Sequence, residues 1–492
     1  KKPNVLIFLM DDVGWNDPGF NGGGAAVGSP TPNMDRLARE GLVLTSFYST
    51  PTCTPTRAAI MTGRLPIRTG LLRPTMYGEK GGLHGETTVA RLMSDAGYVT
   101  QAIGKWHIGE NKESQPHNVG FDDFYGFLSV SDMYTEWRDY HHSPEIVSNP
   151  ARLDMMNRME FNKNVVHARK GGDLRNVQEI NIPVLQELDR VWNEYGVDFV
   201  RQQAKGEKPW FLYYCTRACH FDSYPQDAFR GKTPAKYSYT DCLAEADHAL
   251  GNLVTALEET GQLENTLILV TSDNGPNMES WPDSGRSLFR NSKGSTWEGG
   301  MRVPFVAYWK GMIRPGRVSD GLCDCTDLFT TAARLAEAKL PEDRFIDGID
   351  QTSFLLADDG HSNRREIFYW LMNNFSGIRV GEFKYLVTAT EKDPHDSVNP
   401  GGLSGSTREY TWGKQFNLYM DPKEEHNYAI RKIEYSSTVN ESASEHLKTF
   451  LDYPPKVEVT IAHIKFEPWM VPLLRKHLEE RKQQKIGPGV HP

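Results

Sequence analysis

Val5-Leu6-Ile7-Phe8-Leu9-Met10-Asp11-Asp12 is the stretch from which the rest of the chain can be placed. Six apolar residues in a row suit a strand covered on both faces of a parallel sheet, and the run stops abruptly on two carboxylates. A second apolar run, Thr266 to Val270, behaves the same way and leads into Ser272-Asp273-Asn274-Gly275. Between them, Tyr98 to Ile103 reads as a strand leading to Gly104-Lys105-Trp106-His107, and Trp210 to Tyr214 as one leading toward His220. Asn33 to Gly41, Val89 to Ala96 and Leu243 to Glu259 have helical periodicity, with Gly41 and Gly261 as stops. Alternating strands and helices with short connections predict an α/β fold, a large mostly parallel central sheet sandwiched by helices.

Past about residue 365 the pattern changes. Gly377 to Val387 alternates as a hairpin turning at Gly381-Glu382. Glu391 to Thr407 is rich in turn-forming residues and reads as a long surface loop, and Met470 to Lys485 as a terminal amphipathic helix. The expected division is a catalytic domain over 1–365 and a smaller C-terminal α+β domain over 366–492 with a short antiparallel sheet. A chain of 492 residues exceeds one hydrophobic core, in keeping with two domains.

A net charge of −9 excludes a general nucleic-acid binder, and no apolar stretch approaches the length that spans a bilayer. An anionic substrate must then be held by local cations or a metal. The chain starts directly at a strand, which fits a periplasmic or secreted protein after removal of a signal peptide, or a cytoplasmic one. Six cysteines in this length make no disulfide framework, and none has zinc-site spacing. Cys215, Cys219, Cys242, Cys323 and Cys325 read as buried small residues or occasional bridges.

In open α/β sheets ligands gather beyond the carboxyl ends of the strands. Asp11, Asp12, Asp273 and Asn274 lie at two such ends and form an oxygen-only set suited to Ca²⁺ or Mg²⁺. Three crowded carboxylates would repel one another without a cation between them. Cys53 opens a helix-like segment, with Pro55 in its first turn, and faces the positive helix end. Read by itself it is either a packed thiol or a nucleophile. Arg57 lies one turn along and can reach back to it. Lys105 and His107 flank Trp106 and point the same way if the backbone stays extended. Lys105 suits binding of a polyanion and His107 suits proton transfer, with His220 and Lys293 as similar candidates. Gly22-Gly23-Gly24 lacks a following Gly-Lys-Ser/Thr and reads as a flexible loop. Tyr134, Trp137 and Tyr140, with the 391–413 loop, are candidates to line an entrance; surface packing explains them equally well. Arg217 is either a substrate contact or a surface ion pair.

Taken together, these residues resemble the formylglycine-dependent sulfatases, the arylsulfatase A-like group of the alkaline phosphatase superfamily. Cys53-Thr54-Pro55-Thr56-Arg57 through Thr62-Gly63-Arg64 looks like the signature CxPxR…TGR, and Gly104 to Gly109 like GKWHLG. Further likeness runs through Pro3–Asp12, Thr31–Ala38, Thr271–Gly275, Lys293–Pro304 and Phe416–Pro422, nearly the whole chain. The resemblance implies that a maturation enzyme oxidises Cys53 to formylglycine, whose hydrate attacks a sulfate ester and then releases sulfate. It implies one metal per chain, by analogy Ca²⁺ with Mg²⁺ as the alternative, on Asp11, Asp12, Asp273, Asn274 and residue 53. Arg57 would steady the hydrate, Lys105 and Lys293 would bind sulfate oxygens, and His107 would assist elimination. His220, with Lys293, would protonate the leaving oxygen. Thr56 stands where serine is common, and Cys219 where proline often precedes the histidine.

The expected activity is therefore hydrolysis of aryl or carbohydrate sulfate esters. The alternatives are a phosphonate or phosphate ester hydrolase of the same superfamily, and a glycan binder with a relic site. The expected partners are a small-molecule or glycan sulfate ester and the maturation enzyme, with no nucleic acid or membrane; the sequence leaves the oligomeric state open.

Overall fold

A computed structural model describes residues 1–391, 401–427 and 433–453. The proposed helix at 470–485 lies outside them. Asn4–Met10 is a strand, and its side chains alternate between two apolar clusters. Val5, Ile7 and Leu9 point into one; Leu6, Phe8 and Met10 point into the other. Every one of these side chains is fully buried, which stabilises the fold by about 1.5–3 kcal/mol for each. That double burial is why the run carries no polar residue.

Asn4–Met10 sits inside a ten-stranded sheet. In spatial order the strands are Arg317–Ser319, Leu42–Leu44, Phe305–Tyr308, Thr266–Ser272, Asn4–Met10, Trp210–Cys215, Val99–Lys105, Asp123–Phe127, Asn164–Arg169 and Arg175–Glu179. The five from Thr266–Ser272 to Asp123–Phe127 run parallel, and antiparallel pairs flank them. Helices Cys53–Thr62, Val89–Asp95 and Cys325–Leu335 cover one face. Pro32–Glu40, Ile182–Gln203 and Ser238–Glu259 cover the other. The expected layered α/β architecture is therefore present.

Glu366–Leu371, Asn374–Val380, Phe383–Glu391 and Ser406–Asn417 form a second, antiparallel sheet. One face packs on helix Ile433–Asp452 through Trp370, Ile378, Val387, Leu447 and Phe450. The other packs on the first unit through Ile367, Tyr369, Leu386, Tyr48 and Trp297.

Some boundaries differ from the sequence reading. The helix expected from Leu243 begins at Ser238, because Thr240 bonds back to Tyr237 and closes the first turn. The strand expected to end at Ile103 runs on to Lys105. Part of the expected 391–413 loop is strand, since Ser406–Asn417 pairs with Phe383–Glu391 in spite of its polar composition. The six cysteines are all buried and unbridged.

Candidate active site

The parallel strands deliver their polar ends to one rim. Asp11 and Asp12 follow Met10, Asp273 and Asn274 follow Ser272, and Lys105 ends its own strand. Asp12 N–H donates to Asp273 Oδ1 at 3.2 Å and Val13 N–H to Ser272 Oγ at 2.9 Å, which locks the two strand ends together. Asp12 takes φ 58°, a left-handed conformation that an aspartate tolerates at a cost and that marks functional corners.

Cys53 is the first residue of helix Cys53–Thr62, 1% exposed. Its Sγ lies 3.3 Å from His107 Nδ1. His107 Nε2 lies 3.0 Å from the Thr75 carbonyl, which can only accept, so the ring proton sits on Nε2 and Nδ1 offers its lone pair to the sulfur. Thr54 Oγ1 donates to the His107 carbonyl at 2.8 Å and ties the two segments. Burial and then the Lys105 charge push His107 well below the ordinary histidine range, so the ring is neutral. Burial likewise pushes the Cys53 thiol up, and Lys105 and Lys293 only partly oppose it. An unmodified Cys53 is thus a poor thiolate.

The charges around it interlock. Lys105 Nζ donates to Asp11 Oδ2 at 2.7 Å. Lys293 Nζ donates to both Asp12 oxygens, at 2.7 and 2.9 Å. Arg57 donates to Asp273 Oδ2 through Nε and Nη2, at 3.0 and 2.8 Å, and to the Lys105 carbonyl at 2.9 Å. The expectation that Arg57 reaches back to Cys53 is corrected here, because the guanidinium is committed to Asp273. Burial opposes the charge on Lys293, but Asp12 together with the other acidic groups around it outweighs burial and holds the ammonium protonated. His220 Nε2 lies 3.3 Å from Lys293 Nζ, while its Nδ1 donates to the Phe221 carbonyl. Burial, then Lys293, push His220 well below its ordinary range.

Two acceptors in this shell stay unpaired: Asp11 Oδ1 and Asn274 Oδ1 are buried without a hydrogen-bond partner. Orphaned buried oxygens are costly unless something fills them, and oxygen donors suit a hard cation. Asp11, Asp12 and His220 each bring a ligand atom within 4.8 Å of one another. Asp273 and Asn274 adjoin this group through Asp12, by its N–H and by a 2.7 Å bond from Asn274 Nδ2 to its Oδ1. The residues present therefore fit a divalent metal.

The sequence-selected residues Asp11, Asp12, Cys53, Arg57, Lys105, His107, His220, Asp273, Asn274 and Lys293 form one contiguous network. Lys105 and His107 converge for a different reason from the one expected, since His107 has φ 56° rather than extended backbone. Trp106 packs into the core between them. Thr56 Oγ1 accepts from the Thr50 N–H at 2.9 Å and pairs with the Thr50 hydroxyl at 2.7 Å, a role any hydroxyl there fills. Cys219 has φ 81°, which the locked ring of a proline could not adopt.

Other readings are corrected. Tyr134 and Trp137 are fully buried and pack on Phe127 and Phe161, so they line no entrance; only Tyr140, 62% exposed, faces solvent. Arg217 forms a buried ion pair with Asp189 at 3.1 Å and, fully buried, is neither a surface bridge nor open to substrate. Thr75, which fixes the His107 proton, and Asp132, with an oxygen 4.0 Å from His220 Nδ1, went unread because neither carries a motif.

The sulfatase family profile matches residues 3–338, and the AslA C-terminal domain of sulfatases matches 376–451. The chain is 33% identical to N-acetylgalactosamine-6-sulfatase of Mus musculus, over 93% of this chain and 88% of that protein. It is 33% identical to arylsulfatase A of Homo sapiens, over 87% and 83%. The crystal structure of the PsFucS1 sulfatase from Pseudoalteromonas sp. superposes with TM-score 0.88 at 41% identity, covering 94% of this chain and 92% of that one. A phosphonate monoester hydrolase of Agrobacterium radiobacter, at 18% identity and TM-score 0.56, shares the fold alone.

Proposed function

The chain belongs to the sulfatase family, and from that premise we propose how its own residues cleave a sulfate ester. The activity is hydrolysis of a sulfate ester to an alcohol and inorganic sulfate. Residue 53, matured to formylglycine, supplies a hydrated aldehyde: one oxygen to take the sulfur, a second to drive sulfate off again. A plain thiol lacks that second oxygen. A metal, Ca²⁺ by preference, would be held by Asp11, Asp12, Asp273 and Asn274, and would supply charge for the sulfate oxygens and the hydrate.

The remaining roles belong to the chain. Lys105 and Lys293, now paired with Asp11 and Asp12, are the cations available to sulfate oxygens once those carboxylates turn to a metal. Arg57 holds Asp273 and the end of the Lys105 strand in place. His107 presents an unprotonated Nδ1 at residue 53 and takes up the proton released during elimination. His220 and Lys293, with Nε2 and Nζ 3.3 Å apart, are the groups placed to protonate the departing alcohol oxygen. The observation that carries this reading is the seat of Cys53, at a helix start and 3.3 Å from a neutral imidazole.

A sulfated sugar is the proposed substrate, supported by the likeness to N-acetylgalactosamine-6-sulfatase over 93% of the chain. Turnover of matched nitrophenyl sulfate and nitrophenyl phosphate tests the choice of ester. Dominant sulfate release is expected, and dominant phosphate release would overturn it.

A further inference from the structure

Beside the sulfate centre, and sharing none of its residues, lies a cleft of about 340 Å³. Asp139, Asp222 and Asp283 line it, with His142 and Tyr237. His142 Nε2 pairs with Asp222 Oδ1 at 3.0 Å, and Tyr224 donates to Asp139. Ser223, 7% exposed, stands in its wall, where its N–H donates to Asp283 Oδ2 at 2.7 Å. Trp281, 49% exposed, and Tyr237, 46% exposed, stand together at an adjoining hollow that shares Tyr237 and Pro282 with the cleft.

The cleft is tied to His220. Asp222 lies two residues along the chain and accepts from Thr135 Oγ1 at 2.9 Å. Thr135 belongs to the same short helical turn as Asp132, whose carboxylate is 4.0 Å from His220 Nδ1. The cleft therefore adjoins the loop that carries His220.

Building on the sulfatase reading, we propose that the cleft holds the alcohol part of the substrate, a sugar ring with free hydroxyls. Carboxylates with spare lone pairs accept from hydroxyls, and exposed aromatic faces take the apolar C–H face of a ring. The same carboxylates repel a second sulfate or a uronate near the scissile ester, and His141, His142 and Lys236, of which His142 is already paired with Asp222, do not offset three of them. The site thus selects a sparsely sulfated, otherwise uncharged sugar.

The test uses matured enzyme with nitrophenyl sulfate, a monosulfated N-acetylhexosamine and its disulfated counterpart. The wild type should prefer the monosulfated sugar by about tenfold or more in kcat/KM. Tyr237→Ala, a surface change, and Asp139→Asn should each lower kcat/KM for that sugar about tenfold more than for nitrophenyl sulfate. Asp139→Asn should also narrow the gap between the two sugars. Equal losses on sugar and aryl ester, or a wild-type preference for the disulfated sugar, would overturn the assignment. So would a divalent cation that stabilises the wild type but not His142→Ala, which would make the Asp139–His142–Asp222 group a metal site. Failure of the matured wild type to release any sulfate would instead defeat the underlying reading, and the subsite with it.

Discussion

Two of the buried ion clusters among the described residues set carboxylates against lysine and arginine and are finished differently. At the strand ends, Asp11, Asp12 and Asp273 face Lys105, Lys293 and Arg57. Between the two sheets, Glu298 and Glu424 share Lys384, at 3.0 and 2.7 Å, with Arg379 and Tyr48 close by. In the second cluster both Glu298 oxygens are taken, Oε1 by Lys384 and by Tyr369 at 2.8 Å, Oε2 by Tyr48 at 2.5 Å. In the first, two acceptors, Asp11 Oδ1 and Asn274 Oδ1, remain without partners, whereas the second leaves over a donor, Arg379 Nη2, and sets Lys384 2.7 Å from Glu424 Oε1. Backbone strain does not separate them, since Asp12, His107 and Glu424 all take left-handed φ. Unfilled oxygens separate a site from a staple: the first cluster is finished for a cation from outside, whereas the second carries its own.

The sharpest way to break this contrast is to remove the reacting group. Cys53→Ala should lower sulfate release by at least about 10³-fold with the fold intact, read as kcat beside an unchanged melting profile. Lys293→Ala should cost roughly 10²–10³ in kcat/KM, as loss of a preorganised charge does in such sites. Lys384→Met should act the other way round. It removes the cation shared by two buried carboxylates, for a stability loss of about 3–5 kcal/mol by chemical denaturation, and should lower activity mainly through the unfolded fraction.

Metal response separates the clusters at smaller scale. Ca²⁺ at a hundredfold over its Kd should stabilise the wild type by about 2.7 kcal/mol, and Asp11→Asn should lose that gain while Glu424→Gln keeps it. The smallest effect is one of pH. Burial, and the second carboxylate Glu298 on the same lysine, push Glu424 up to about 7. Between the unfolded carboxylate range and about 7 the native state holds a proton that the unfolded chain has lost. Glu424's contribution to stability therefore falls as pH rises through that window, by on the order of 1–3 kcal/mol. Glu424→Gln should flatten that slope relative to the wild type in melting curves taken across it.

The first cluster was legible in the sequence because local pattern carries it. Apolar runs ending in Asp11-Asp12 and Ser272-Asp273-Asn274 declare both the strand and its chemistry, and Cys53 with Pro55 declares a helix start. The second cluster was not. Lys384 and Glu298 are 86 residues apart, and each sits in a pattern that reads as ordinary hairpin or turn. Tertiary partnership also decided Arg217, which Asp189 claims, and Trp137, which packs in the core. Ser406–Asn417 was hidden for a related reason: its polar residues are tolerated because neighbouring Phe383–Glu391 supplies the ladder. The acidic cleft beside His220 was invisible too, since Asp139, Asp222 and Asp283 come from separate loops.

The central claim is that residue 53 acts as an aldehyde and not as a thiol. Its most direct test is the mass of the tryptic peptide 40–57, taken from protein whose specific activity has been measured. The account predicts that CH₂SH is replaced by CHO at residue 53, in a fraction that tracks activity across preparations. An intact thiol in fully active protein would contradict it.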